Sequence, residues 1–239
     1  MGIWTKHEFN RDKLPERCFL FAGDHSEERR KEILSHYEAI VFHKHTVYEA
    51  YIVSIGDIEE LLIFQVYGAP LISDLSFILN DGGVKEIIFI GTALGIDENL
   101  KIGDYVIPSE VQALEGLLKV IFDVDYSYPD AELKKKIEQS LRVIEETYFE
   151  GKTVSVPCTF AHPDKSKYDE DVIALEMELS AIYHFSRQLG IQCAGILVVS
   201  DTKDHGLLDD RTVVYEKWVN GFKAIQSGIQ LYRNKRVFI

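Results

Sequence analysis

Short apolar runs rich in β-branched and aromatic residues recur along the chain at Cys18–Ala22, Tyr51–Ile55, Leu61–Val66, Glu86–Ile90, Tyr105–Ile107, Thr153–Val156 and Gln192–Val199. Their length and composition predict β-strands. Between several of them the apolar positions fall at three- and four-residue steps, which predicts helices. Ser26 is placed to cap a helix that begins Glu27-Glu28-Arg29-Arg30, and Leu71–Leu79 runs into Asn80-Asp81-Gly82-Gly83, a helix stop. Leu179–Leu189 carries Leu179, Ile182, Tyr183 and Leu189 at helical spacing and meets Gly190 at the stop position. Near the C-terminus, Val214, Trp218, Phe222, Ile225, Ile229 and Tyr232 form one stripe, most simply read as core packing. Strands separated by helices require crossover connections, and so a largely parallel or mixed sheet.

The chain has 239 residues, 46% of them hydrophobic and 27% charged, enough to bury one sizeable core. No Gly/Pro/Ser-rich linker divides it, so a single domain over 1–239 is expected, and its apolar runs are strand-length rather than membrane-spanning. A net charge of −13 opposes general binding to nucleic acid or to an anionic membrane, while leaving room for a small anion in a local pocket. Cys18, Cys158 and Cys193 lie in apolar stretches without metal-ligand spacing, so buried reduced thiols are expected and no metal site. The start Met1-Gly2-Ile3-Trp4-Thr5-Lys6-His7 carries no apolar signal region, which makes the cytoplasm the expected compartment.

Four segments carry candidate chemistry, each at a strand end, where open α/β sheets bind ligands. Ala22-Gly23-Asp24 runs into the helix at Glu27, whose N-terminal N–H groups suit an oxyanion or simply accept a cap. Gly91-Thr92-Ala93-Leu94-Gly95 reads as a glycine-flanked turn that ends a strand and brings backbone N–H groups and the Thr92 hydroxyl near a ligand, or as an ordinary turn. Glu176-Met177-Glu178 sets two acids in an apolar context before a helix. Vicinal ribose hydroxyls are natural donors to such a carboxylate, and a helix-start Glu is the plain alternative. Val198-Val199-Ser200-Asp201 ends an apolar strand in an acid that either caps the next segment or donates a proton.

Together these segments resemble the nucleoside phosphorylase superfamily. The likeness is carried by Ile90-Gly91-Thr92-Ala93-Leu94-Gly95 with Lys101-Ile102-Gly103-Asp104-Tyr105-Val106-Ile107-Pro108, by Glu176-Met177-Glu178, and by Val198-Val199-Ser200-Asp201 in that order. It implies a three-layer α/β/α fold around a mixed, partly barrel-like sheet, and homo-oligomers built from dimers, hexamers among them. It also implies a nucleoside substrate and no cofactor, with inorganic phosphate as co-substrate if the chain is a phosphorylase. Carried onto this sequence, Met177 packs on the sugar, and Glu178 accepts from its 2′ and 3′ hydroxyls with Glu176 beside it. Phe160 stacks on the base, Asp201 with Ser200 faces a purine near N7, and Thr92, Gly91 and Gly23 line the nucleophile side. His7 lies where some members lend a histidine to a neighbouring subunit.

Glycosidic cleavage passes through an oxocarbenium-like sugar, so a site needs a group to hold the sugar and an acid to neutralise the departing base. Glu178 and Asp201 fit those roles, and purine fits better than pyrimidine because an acid at Asp201 has a ring nitrogen to meet. The likeness implies phosphorolysis, giving free base and ribose 1-phosphate. However, Phe89 and Glu27 stand where phosphorylases carry phosphate-binding arginines, unless Arg29, Arg30, Lys44 or a neighbouring subunit compensates. A hydrolytic enzyme using Glu27 or Glu28 to activate water, and a non-catalytic nucleoside-storage relative, are the alternatives.

Overall fold

The computed structural model describes residues 3–23, 27–45, 47–158, 165–204 and 211–236. Among the described residues, ten strands form its sheet: β1 Arg17–Ala22, β2 Ala39–Lys44, β3 Glu49–Ile55, β4 Ile58–Val66, β5 Glu86–Gly95, β6 Tyr105–Ala113, β7 Tyr126–Ser127, β8 Tyr148–Ser155, β9 Val172–Glu176 and β10 Gln192–Thr202. Seven described α-helices accompany them: α1 Ile3–Phe9, α2 Glu27–Leu34, α3 Ala69–Asp81, α4 Leu117–Phe122, α5 Ala131–Val143, α6 Leu179–Leu189 and α7 Arg211–Arg236.

The sheet closes on itself over half its width. β5 pairs with β10, β10 with β6, β6 with β8, β8 with β9, and β9 returns to β5, so five strands make a ring. From β5 the sheet continues as an open wing through β1, β4, β3 and β2. Alternation of side chains sorts the core into two layers. Cys18, Leu20, Ile87 and Phe89 pack toward α3 and α6, with Ile72, Leu75, Leu179 and Ile182. Phe19, Phe21, Ile88 and Ile90 pack toward α2, α5 and α7, with Ile33, Leu133, Ile137, Trp218 and Phe222. The result is the three-layer α/β fold with a mixed, partly barrel-like sheet that the sequence implies.

The helix stops fall where expected. Gly190 ends α6 in the left-handed region at φ 71°, and α3 ends at Asp81, before Gly82-Gly83. The C-terminal stripe is buried from Val214 through Ile229; Tyr232 and the Ser26 cap lie outside the described side chains.

Four expectations are corrected. Gly91–Gly95 is not a turn: β5 runs through it, held by β10 from Gly91↔Leu197 to Gly95↔Thr202 and by β9 at Leu94↔Leu175. β10 likewise continues past Val199 to Thr202. Three described strands, β2, β7 and β9, have no counterpart in the apolar runs. Cys158 is exposed, whereas Cys18 and Cys193 are buried, and burial pushes both of their thiols up from the ordinary value. No described helix is long and apolar enough to cross a membrane.

Candidate active site

Because β1, β4, β5 and β10 run parallel, their C-terminal ends lie side by side. Gly23 follows the end of β1, Tyr67 and Gly68 the end of β4, Thr92 lies in the last part of β5, and Ser200 and Asp201 in that of β10. β9 enters antiparallel to β5, so Glu176 leaves the sheet beside Ala93, and Met177 and Glu178 turn back along the same edge. The topology therefore gathers most of the sequence-nominated residues at one rim.

Glu178 is the most constrained of them. It stands at the N-cap of α6, is 6% exposed, and its Oε1 accepts from the Gly68 N–H at 2.7 Å. Gly68 occupies the N-cap of α3 at φ 80°, a conformation that favours glycine, so the carboxylate also faces the N-terminus of that helix. Burial, and then the neighbouring Glu176 charge, raise the Glu178 carboxyl well above the ordinary carboxylate range.

Glu176 is differently employed. Its Oε1 accepts from the Ser155 hydroxyl, and its Oε2 accepts from the N–H groups of Glu178 and Leu179, each at 2.6 Å. Burial raises it too, while these donors oppose the shift. Of the two acids, Glu176 has more donors fixed on its ionised form, so Glu178 is the better seat for a proton when the site is empty. Met177 packs beside them against the small cluster of Val154, Val156, Val172 and Leu175.

Asp201 is aimed by a bulge. Val199 pairs with Ala93 and Asp201 with Leu94, so Ser200 is the extra residue, and such a bulge re-aims the side chains that follow it. The Ser200 hydroxyl donates to Asp201 Oδ1 at 2.6 Å, with the Ala93 carbonyl at 3.3 Å as its alternative acceptor. Thr92, partly exposed, pairs with Val198 on the adjoining strand.

The nucleophile side departs most from a phosphate site. Phe89 is 0% exposed and its ring fills the space a Cβ on Gly91 would need, 2.6 Å away. Glu27, in the first turn of α2, is exposed and pairs with Lys31 at 2.7 Å, a bond that lowers its carboxyl below the ordinary value. Glu28 beside it is exposed. The Arg29 guanidinium lies 4.4 Å over the Tyr215 ring, and Arg30 Nε is 2.9 Å from Glu49. His7 is exposed and bonds Glu8 at 3.2 Å, and Lys44 is exposed at the end of β2. Phe160 lies outside the described residues.

Sequence reasoning missed Ser155 and Gly68. The signal for Gly68 was present, since Gly68-Ala69-Pro70 is a helix-start pattern with proline in the first turn. Nothing local marks Ser155, whose role arises from its register opposite Glu176.

A closed ring with an open wing, helices on both faces, and acids converging on one rim define an α/β protein of phosphorylase-like architecture. The chain belongs to the phosphorylase superfamily, whose family profile matches residues 20–226. It is similar to a purine nucleoside phosphorylase DeoD-type from Lactococcus lactis subsp. lactis (strain IL1403), with 26% identity over 157 residues. That alignment covers 64% of this chain and 65% of the relative, so the match spans less than two thirds of the relative's length. Among solved structures, purine nucleoside phosphorylase from Toxoplasma gondii in complex with immucillin-H superposes with a TM-score of 0.78 at 19% identity, covering 93% of each chain. A 5′-methylthioadenosine/S-adenosylhomocysteine nucleosidase from Neisseria meningitidis superposes with a TM-score of 0.72 at 20% identity, covering 88% of this chain and 98% of that one. At these identities the structural likeness establishes the fold.

Proposed function

We propose that this chain cleaves the N-glycosidic bond of a purine nucleoside, with water as the acceptor. The glycosidic part rests on Glu178, a buried carboxylate presented at the rim between two helix starts, with Asp201 on β10, across β5 from the strand that leads to Glu178. In this reading Glu178 accepts from the sugar hydroxyls, and Asp201 gives the departing base a proton or a hydrogen bond, each positioned group contributing on the order of 10²–10⁴ in rate.

The observation that favours water is Phe89. A phosphate dianion needs cationic or N–H donors, and at this position of the strand the chain carries a phenyl ring sealed in the core. Arg29 and Arg30 are engaged with Tyr215 and Glu49, while the first turn of α2 carries two exposed carboxylates, Glu27, paired with Lys31, and Glu28. In this reading Glu27 or Glu28 is the base that activates water, and Glu27 has to leave Lys31 to serve, because that pairing lowers its basicity. Phosphorolysis to ribose 1-phosphate is the second reading, favoured by the names of the DeoD-type relatives. Assembly into a homo-oligomer built from dimers belongs to the same proposal. It is supported by the exposed Ile40, Val41 and Phe42 on β2, the edge strand of the wing, and is read by light scattering.

The test is to incubate the purified protein with adenosine, inosine, methylthioadenosine and uridine, each with and without phosphate, and to identify base and sugar products. Free ribose and purine base, released at a rate indifferent to phosphate, are expected. Ribose 1-phosphate formed only with phosphate would establish the second reading. No release from any substrate would leave a nucleoside-binding relative without turnover.

A further inference from the structure

Two glutamates flank Met177, and only one occupies the helix end. A residue at an N-cap normally turns its own side chain back onto the N–H groups of the first turn. Glu178 makes no such bond, although it holds that position in α6. Glu176 makes it instead, reaching forward from the end of β9 to the N–H groups of Glu178 and Leu179. Glu176 is in turn held by the Ser155 hydroxyl, and Ser155 Oγ accepts from the Ser180 N–H at 2.9 Å, so the serine ties β8 to both β9 and α6. Ser127 Oγ donates to the Ser180 carbonyl at 2.8 Å and closes the other side of the same turn. All the side chains in this clip are buried.

We infer that Glu176 is a positioning residue for the sugar: by capping α6 and bonding Ser155, it frees the Glu178 side chain from the helix end and fixes it against Gly68. The inference rests on the reading that Glu178 receives the sugar hydroxyls. It assigns to Glu176 no contact with substrate, since both of its oxygens are spent on the protein. Among the described residues, Glu115, which accepts from the Leu118 N–H at 3.3 Å, acts on Glu176, as does Tyr183 from α6.

The conservative variant Glu176→Gln keeps size and acceptor oxygen but removes the charge, and Ser155→Ala removes the anchor. Each is assayed with inosine and with 2′,3′-dideoxyinosine, which has no hydroxyls for Glu178 to hold. For inosine both variants raise KM about tenfold, the loss expected for one misdirected hydrogen bond, and KM is affected more than kcat. For the dideoxy substrate KM stays within about twofold of the parent protein. Equal losses on both substrates would reduce Glu176 to a structural cap and overturn the inference, as would unchanged KM for inosine in both variants.

If the parent protein cleaves none of adenosine, inosine and methylthioadenosine, the functional reading fails. The clip is then judged without substrate, by amide hydrogen exchange of Gly68, whose N–H donates to Glu178, in the parent and in both variants. Faster exchange at Gly68 is expected when Glu176 or Ser155 is changed, and unchanged protection in both variants overturns the inference.

Discussion

Glu178 carries a pH dependence whose sign follows from its surroundings. Its carboxyl is pushed from the usual 4.5 up to about 8, so between these values the folded protein binds a proton that the unfolded chain has released. The folded state is favoured by this group most fully below 4.5, and the contribution is lost as pH rises through about 8. Thermal melts of the ligand-free protein from pH 5 to 8.5 should therefore decline more steeply for the parent than for Glu178→Gln, whose amide does not titrate. Sugar binding runs the other way, because only the ionised carboxylate accepts from two hydroxyls. The KM for inosine should fall as pH rises toward 8, and that trend should vanish in Glu178→Gln. Losing charge-assisted bonds to the sugar costs about 1.5–3 kcal/mol, so kcat/KM for the variant should drop on the order of 10- to 100-fold. On the other side of the reaction, Glu27→Gln tests the water-activating base. A 10²-fold or greater loss in kcat with little change in KM is expected if Glu27 serves alone, and a normal rate would transfer the role to Glu28. Both glutamates were legible as chemistry in the sequence, whereas the division of labour between Glu176 and Glu178 was not. The two are alike in type and context, and only the register of β8 against β9 puts Ser155 within reach of one of them.

Elements were legible where local chemistry dictates them. α6 and α3 were readable from apolar periodicity and their terminal glycines, because a left-handed stop favours a residue without a Cβ. β5 and β10 were readable as strands, but not to their ends. Glycine weakens a strand in isolation, so Gly91 and Gly95 read as punctuation; two flanking partners override that preference when the ring closes. In that ring Gly91 makes room for Phe89, and Phe89 packs in the core cluster with Leu179 and Tyr183. Replacing it tests whether the position is structural. Phe89→Ala should cost about 3–5 kcal/mol, read as a lower denaturant midpoint. Phe89→Arg should fail to accumulate as folded protein rather than acquire phosphate dependence, because it buries an unpaired guanidinium in an apolar layer. A soluble Phe89→Arg variant whose rate rises with phosphate would show that the side chain can swing to the rim.

At the scale of the molecule, the charged groups are segregated by strand polarity. The acids of the candidate site gather at the C-terminal ends of the parallel strands, while a buried network gathers at the opposite end, where β1 and β5 begin. Arg17, 1% exposed, reaches Glu60 on β4 at 3.2 Å and Glu86 on β5 at 2.8 Å, and Lys136 of α5 shares Glu86 at 3.0 Å. Glu60 also accepts from Tyr37 at 3.0 Å and from Gln226 of α7 at 2.9 Å, so one carboxylate joins the wing of the sheet to the last helix. No sequence pattern announces such a network, since its members come from distant segments and each reads alone as a surface charge. Truncating one member strands the others in a poorly solvated interior, so Glu60→Ala should destabilise the fold by about 3–5 kcal/mol. The rim lies at the other end of the strands, and the folded fraction of this variant should keep its kcat/KM for nucleoside. Urea unfolding and steady-state assays on the same preparation separate the two effects. A Glu60→Ala protein that unfolds at the parental urea concentration would mean that Arg17 is satisfied by Glu86 alone. A loss of kcat/KM at full folding would mean that the two ends of the sheet communicate through β4, whose far end delivers Gly68 to Glu178.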